Sequence, residues 1–600
     1  MSYNGLSDFI AKLKEEGQLI EIDEFVDPKL EITEITDRFS KEADGGKALL
    51  FNNNGTEFPL LINAFGNNRR MNLALNIESS DEFVDRIEAL FKMLNQQPDN
   101  LLQKIKMVPK LAGLAKMLPK KLKGKGACQE VINTSPDLNK LPILTCWPFD
   151  GGPFITYPIV NTVDPDTGMR NIGMYRLQQM SENTTGMHWH RHKVGARHYN
   201  AYKDRGEKMP ISVVLGGDPV YTYAATAPAP DQFDEYIIAG FIRNKSVELV
   251  KCITNDLYVP NDADIVIEGY VDPSEELVWE GPFGDHTGFY SLADYYPKFH
   301  VTCITHRKGA IYPATIVGVP PMEDAFLGEI SEKLFLKPLQ IGIAPEVKDM
   351  HMPVAGVVHN LVVVSADITY PGQAFKIASS LWGAGQMMFT KYIVVVDKDI
   401  DIRDYKSVIQ QIDQNVNWNT DLLFSKGPLD ILDHASTVQS VGGKLCIDAT
   451  SLGKEKTGKN MPLSRDGLNM RLISDGVCFI FSNDFNEFKE SADKLDQYSG
   501  LIVVVEKELE GLNNYTLAWY ALGNSDPVRD IEVKGSCVLV NALRKNDSDD
   551  FKRPWPDLVV MNDEIINKID QKWSSLDLGT FIESPSKVLK KVAKEKGAEL

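Results

Sequence analysis

HNLVVVSADITYPGQAFKIASSLWGAGQMMFTKYIVVVD, residues 359–397, reads as strand, helix, strand. HNLVVVSAD and YIVVVDKDID each hold a short apolar run rich in valine, the pattern of short buried strands. QAFKIASSLWGAG between them has helical spacing and ends at glycine. This is the grammar of a βαβ unit and predicts a parallel or mixed sheet. VCFIFSNDFNEFKESADKLDQYSGLIVVVEKE, near 477–506, has the same strand–helix–strand form. Toward the N-terminus, from about 128 to 315, the pattern shifts to short β-rich runs: FITYPIVNTV, ISVVLGG, ADIVIEGYV and FHVTCITH. A barrel or sandwich-like middle domain follows from these. Residues 1 to about 127 mix the two patterns, with strands at KALLFNN and FPLLINAFG and an amphipathic helix at SSDEFVDRIEALFKMLNQ. The opening segment predicts a helix with Ser7 as N-cap and Gly17 just past its end. No internal repeat stands out.

At 600 residues the chain is too long for one core. Its 43% apolar and 24% charged residues are those of a globular protein. A net charge of −19, spread along the chain, argues against nucleic acid as a partner, since phosphate binding needs a basic face. Seven scattered cysteines without a CxxC read as reduced thiols and predict a cytoplasmic protein without a cysteine-based zinc site. No run approaches 18 apolar residues, so no transmembrane segment is expected. Residues 104–125 hold eight lysines and no acid. They read as a solvated linker or surface helices, with weak membrane-surface contact as the alternative.

Chemistry concentrates in a few segments. EGPFGDH, residues 280–286, sets Glu280 and Asp285 five apart around Pro282 and two glycines. Two carboxylates in one site push their pKa values apart, which can leave one as a proton donor near neutral pH. The alternative is a turn with solvated acids. In NIGMYRLQQMSENTTGMHWHRHKVGARH, residues 171–198, His188, His190 and His192 recur at every second position and would share one face of a strand. That spacing invites a zinc reading. The interleaved Arg191 and Lys193, with Asn171 and Arg176, suit a phosphorylated ligand better. Small residues at Ala224–Ala227 predict a loop whose backbone can reach a ligand. Glu235 opens a helix, where an acid commonly just faces the dipole. Taken alone, Lys391 is expected at the surface.

Together these segments resemble the UbiD family of prenylated-FMN-dependent decarboxylases. The resemblance rests on collinear motifs: DGGPFITYP, NIGMYRLQ, MHWHRHKVGARHY, VVLGGDP, DEYIIAGFIR, VKCITNDLYVPNDADIVIEGYV, EGPFGDHTGFY and FTKYIVVVDKDID. It implies an α+β, mixed architecture: an N-terminal α/β domain with the basic segment (1–127), a central split β-barrel of flavin-reductase type that binds the cofactor (128–325), a C-terminal α/β oligomerisation domain (326–575) and a tail (576–600). The extra length over compact members falls near 85–128, near 465–530 and in the tail, none with a recognised motif.

The resemblance also implies roles. Asn171, His192 and Glu235 match the side chains that hold Mn2+ or Mg2+. The backbone near Ala224, Ala225 and Ala227 matches a K+ loop, although Ala225 lacks the hydroxyl some members carry. Thr156, Met174, Tyr175, Arg176, His188, Trp189, His190, Lys193 and Lys391 fall where the family touches prenylated FMN. Arg176, Glu280 and Asp285 match the catalytic Arg–acid–acid set, with the proton donor left open between the acids. The implied activity is decarboxylation of an aromatic (4-hydroxybenzoate-like or naphthoate-like) or α,β-unsaturated acid, in quinone biosynthesis. A flavin prenyltransferase would supply the cofactor, and a homo-dimer or hexamer is expected. The competing readings are a zinc hydrolase on the histidine cluster and a non-catalytic flavin-binding subunit.

Overall fold

The computed structural model describes all residues except 1, 96–112, 114, 191–192, 228–232, 457–468, 492–497, 547–548, 550 and 599–600. The chain is mixed α/β with several separate sheets and divides into two compact units. The first comprises residues 1–285, 290–327 and 559–586; the second comprises 286–289, 328–558 and 587–600.

In the first unit, Leu19–Ile22, Ala48–Phe51, Leu60–Ile62 and Tyr312–Pro313 form a four-stranded mixed sheet. The helix Leu6–Glu15 precedes it, capped by Gly5 rather than Ser7, with Gly17 past its end at φ 65°. The larger sheet has seven strands, all antiparallel. Its order is Thr184–Gly186, Lys298–His306, Ile265–Val271, Met209–Leu215, Ile159–Val163 and Arg170–Met174, and Val131–Asn133 also pairs with Lys298–His306. The β-rich runs read from sequence are its central strands. The helices Val194–Arg205, Pro219–Thr226 and Glu235–Arg243 pack beside Arg170–Met174. Ala224 and Ala225 therefore lie in the last helical turn of Pro219–Thr226, not in a loop, and Ala227 caps it. Residues 104–112 and 114 of the lysine-rich segment lie outside the described residues. Its end does not read as linker: Lys120–Lys121 pairs in parallel with Glu248–Lys251, and the Lys121 ammonium sits 4.1 Å from the Tyr258 ring centre.

The second unit holds two five-stranded sheets. In the first, Leu361–Ala366 and Tyr392–Asp397 run parallel around the helix Gln373–Trp382, as their apolar runs require. Alternate residues Val362, Val364, Ile393 and Val395 pack on Ala374, Ile377, Ala378 and Leu381 of that helix. Val347–His351 adds antiparallel at one side, and Val441–Asp448 and Leu422–Pro428 complete the other. The second sheet, Met470–Ser474, Val477–Phe481, Ser499–Val505, Ser536–Asn541 and Ile531–Lys534, has the same order and the same parallel and antiparallel pairings. An internal repeat is thus present where the sequence shows none. All seven cysteines are buried, and no two of them form a disulfide.

Candidate active site

The loop EGPFGDH is held by its backbone before any side chain acts. Gly281 N–H donates to Gln178 Oε1 (2.7 Å), Gly284 N–H to Asp150 Oδ1 (2.7 Å), and Gly151 N–H to the Pro282 carbonyl (2.8 Å). Gly281 adopts φ 97°, a conformation open to glycine at little cost. Asp150 accepts two more backbone bonds on Oδ2, from Cys146 and Trp147. Burial pushes its carboxyl up to about 7 despite those donors.

So fixed, the loop buries both acids: Glu280 is 0% exposed and Asp285 6%. This overturns the solvated-turn alternative. Between them lies Arg176, just past the strand Arg170–Met174. Its Nε donates to Glu280 Oε1 (3.0 Å), its Nη1 pairs with Asp285, and its Nη2 donates to Ser291 Oγ (3.0 Å). One planar fork thus spans both carboxylates, a geometry lysine cannot reproduce. The guanidinium also lies 4.7 Å from the Phe283 ring centre.

His188 completes the network. Its Nδ1 bonds Glu280 Oε2 at 2.6 Å, its Nε2 meets His190 Nε2 at 2.9 Å, and its ring lies 4.2 Å from that of Tyr296. Burial, and then Arg176, lower the His188 pKa against the pull of Glu280. Burial alone would raise Glu280, but Arg176 and His188 reverse this and hold its carboxyl at about 2. Burial lowers Arg176 as well, yet Glu280 and Asp285 carry it above its ordinary value. The pairing rule led to an acid raised toward neutrality; for Glu280 the direction is the opposite, because a cation sits between the carboxylates.

Asn171 and Glu235 line one small cavity at the Arg170–Met174 strand. Glu235 is buried at the first turn of its helix and accepts the Ile172 N–H on Oε2 (2.8 Å). Burial pushes its carboxyl up to about 7. Asn171 Nδ2 is buried without a hydrogen-bond partner. Arg170, Arg197 and His198 line the same cavity. His192 and Arg191 lie outside the described residues, and among the described ones no group of three His, Cys, Asp or Glu forms a metal cluster. The Asn171 amide oxygen and the Glu235 carboxylate are the oxygen donors a hard cation takes, whereas the orphaned Nδ2 is a hydrogen-bond donor and calls for an acceptor.

The remaining expected contacts are dispersed. Thr156 Oγ1 accepts the Thr315 N–H (3.0 Å). Tyr175 and Trp189 are buried and pack edge to face at 6.4 Å. Met174 ends its strand, and Lys193 precedes the helix Val194–Arg205. Lys391 belongs to the second unit and is not a surface lysine: it is 0% exposed and pairs with Asp433 at 2.7 Å. Asp150, Gln178, Ser291 and Tyr296 are residues that sequence reasoning missed. Asp150 and Gln178 carried a signal, their places in the DGGPFITYP and NIGMYRLQ motifs.

Comparisons with known proteins bear on this geometry. Three UbiD family profiles match, all described by 3-octaprenyl-4-hydroxybenzoate carboxy-lyase: its N-terminal domain at 10–90, its Rift-related domain at 120–320 and its C-terminal domain at 325–449. An uncharacterized protein of Aquifex aeolicus is 46% identical across 76% of this chain and 93% of that protein. One of Helicobacter pylori is 35% identical across 96% and 97%. The solved UbiD-class enzyme HmfF from Pelotomaculum thermopropionicum, in complex with FMN, is 27% identical with a TM-score of 0.64, covering 77% of this chain and 96% of its own. The vanillic acid decarboxylase of Sedimentibacter hydroxybenzoicus, in closed form, shares the fold at 23% identity and TM-score 0.67, over 83% and 100%. The chain belongs to the UbiD family, whose members are carboxy-lyases that use prenylated FMN.

Proposed function

We propose that this protein removes CO2 from an aromatic acid of 4-hydroxybenzoate-like or naphthoate-like form, or from an α,β-unsaturated acid, with prenylated FMN as cofactor and in the service of quinone biosynthesis. The observation that carries this reading is Arg176 spanning Glu280 and Asp285 in a buried, aromatic-lined site. The histidine cluster gives the zinc reading little support, since both ring nitrogens of His188 are engaged by Glu280 and His190.

When bound, prenylated FMN supplies the electron sink that decarboxylation at an sp2 carbon needs. Thr156, Met174, Tyr175, Arg176, His188, Trp189, His190, Lys193 and Lys391 would hold it. Asn171, His192 and Glu235 would hold Mn2+ or Mg2+, and the backbone at Ala224, Ala225 and Ala227 a K+. The chain's own part is orientation and proton movement. Arg176 directs the substrate carboxylate. Glu280 and His188 fix the guanidinium, and burial excludes water from it. A proton must then reach the carbon that CO2 leaves, and one of the two acids on Arg176 carries it. Glu280 rests ionised, so it can deliver only a proton it first accepts.

The same proposal takes the seven-stranded antiparallel sheet as the split barrel of flavin-reductase type. It assigns 128–325 to cofactor binding and 326–575 to assembly of a homo-dimer or hexamer. Co-production with a flavin prenyltransferase, followed by cofactor mass, absorbance and CO2 release over a panel of aromatic and acrylic acids, tests it. Absence of prenylated flavin after reconstitution would sink the reading. His192→Ala should lose metal and cofactor together.

A further inference from the structure

The two sheets of the second unit agree residue by residue. Leu361 pairs with Tyr392 as Val477 pairs with Leu501, and Tyr392 pairs with Leu445 as Leu501 pairs with Val538. Leu422 lies opposite Ile447 as Ile531 lies opposite Val540, and Met350 opposite Val364 as Met470 opposite Ile480. These registers equate Val395 with Val504 and Ala449 with Ala542. The Ala449 N–H donates to Val395 O (2.9 Å), and the Ala542 N–H to Val504 O (3.0 Å). Just before, Asp448 Oδ1 accepts the N–H two residues on, as Asn541 Oδ1 does (3.0 and 3.2 Å). The cores match as well: Val362, Val364, Ile393, Val395 and Cys446 stand where Cys478, Ile480, Ile502, Val504 and Leu539 stand.

The polar residues do not match. Lys391 corresponds to Gly500 and Lys444 to Cys537. Of the two sheets, only the first therefore has the buried lysine that pairs with Asp433. The second contributes hydrogen bonds around that pair instead, from 524–529. Asn524 Oδ1 meets His434 Nε2 (2.9 Å), Ser525 Oγ meets the Tyr392 hydroxyl (2.7 Å), Asp526 Oδ2 accepts the Gly443 N–H (2.9 Å), and Arg529 Nη1 donates to Ala435 O (2.7 Å). These contacts fall on the neighbours of Lys391 and Asp433, and on the strand beside them. The first sheet is shaped to receive them: a Cβ at Gly442 would stand 2.6 Å from Asp526 Oδ2, and one at Gly443 2.5 Å from the Val528 nitrogen. Backbone must approach closely here, which is what the glycine pair allows.

We propose that residues 470–541 are an internal copy of the module at 347–448 that has lost its buried lysines and acts as a built-in brace, holding the Lys391–Asp433 pair of the first copy through residues 524–529. The functional value of the brace rests on the cofactor role proposed for Lys391; the brace itself does not.

The test uses the full chain. Asp526→Asn sets an amide against the Gly443 N–H, and hydrogen exchange is then followed across 430–445 and, as reference, across 477–481. Loss of a bond to a carboxylate should speed exchange at Gly443 by about ten- to hundredfold, with the reference strand unchanged. The FMN dissociation constant should rise with it. Faster exchange with unchanged FMN affinity keeps the brace and removes the cofactor role of Lys391. Unchanged exchange at 430–445 overturns the brace. If Asp526→Asn does not fold, Ser525→Ala carries the same test through the Tyr392 hydroxyl, and Glu508→Gln in the same copy should alter neither readout.

Discussion

Replacing Glu280 with glutamine keeps the shape of the side chain and removes its charge. In the wild type, both oxygens are engaged, one by Arg176 Nε at 3.0 Å and one by His188 Nδ1 at 2.6 Å. Together these hold the carboxyl at about 2, against an ordinary 4.5. At about 1.4 kcal/mol per pH unit, that displacement corresponds to about 3 kcal/mol of folding stability. The sign follows from linkage. A carboxyl lowered by folding contributes fully above its unfolded pKa, and the contribution is lost as pH falls toward the folded value. Urea unfolding of wild type and Glu280→Gln should therefore differ by about 3 kcal/mol, with a gap that stays flat from pH 8 to 5 and narrows only below 4.5. Flavin content should be retained while turnover is lost. A gap that changes between pH 6 and 8 would show that Glu280 titrates near neutrality and would refute the resting carboxylate. A fully active variant would refute its role altogether.

Other perturbations have equally direct readouts. Asp150→Ala strips the acceptor from three backbone N–H groups, at Gly284, Trp147 and Cys146. At about 1–3 kcal/mol for each group left buried and unpaired, thermal unfolding should show a loss of several kcal/mol. Arg176→Lys keeps the charge but cannot span two carboxylates and Ser291, so kcat should fall by at least about a hundredfold with the fold intact by circular dichroism. Lys391→Met leaves the buried Asp433 carboxylate without its cation, and chemical denaturation should report about 3–5 kcal/mol of destabilisation. An unchanged midpoint would mean that the Lys391–Asp433 pair is not formed in solution.

The strands were legible because apolar runs bounded by Gly, Pro and Asn leave few alternatives, and the helix at 373–382 was legible from its spacing and closing glycine. The loop at 280–286 announced its acids. Its electrostatics were not legible in the loop itself, because the cation that decides them, Arg176, arrives from 104 residues away in the chain and joins the acids in sequence only through the family resemblance. The burial of Lys391 had no local signal either: a lone lysine at a strand start predicts solvent, and only the packing of the second unit brings Asp433 to it. The loop expected at Ala224–Ala227 is a helical turn because Asp218 and Pro219 start a helix that the small residues then continue. The internal copy escaped for a further reason. Buried strands constrain apolar character and register but not residue identity, so the lysines that mark the first copy have no counterpart in the second.

If Arg176, Glu280 and Asp285 act as proposed, the reaction exchanges a carboxylate for a solvent-derived proton. Turnover of a 13C-carboxyl-labelled aromatic acid in D2O by the reconstituted enzyme tests it in one vessel. The expected result is one 13CO2 released for each product molecule, and one deuterium at the carbon that bore the carboxylate. Product formed without 13CO2, or with no deuterium at that carbon, would contradict it.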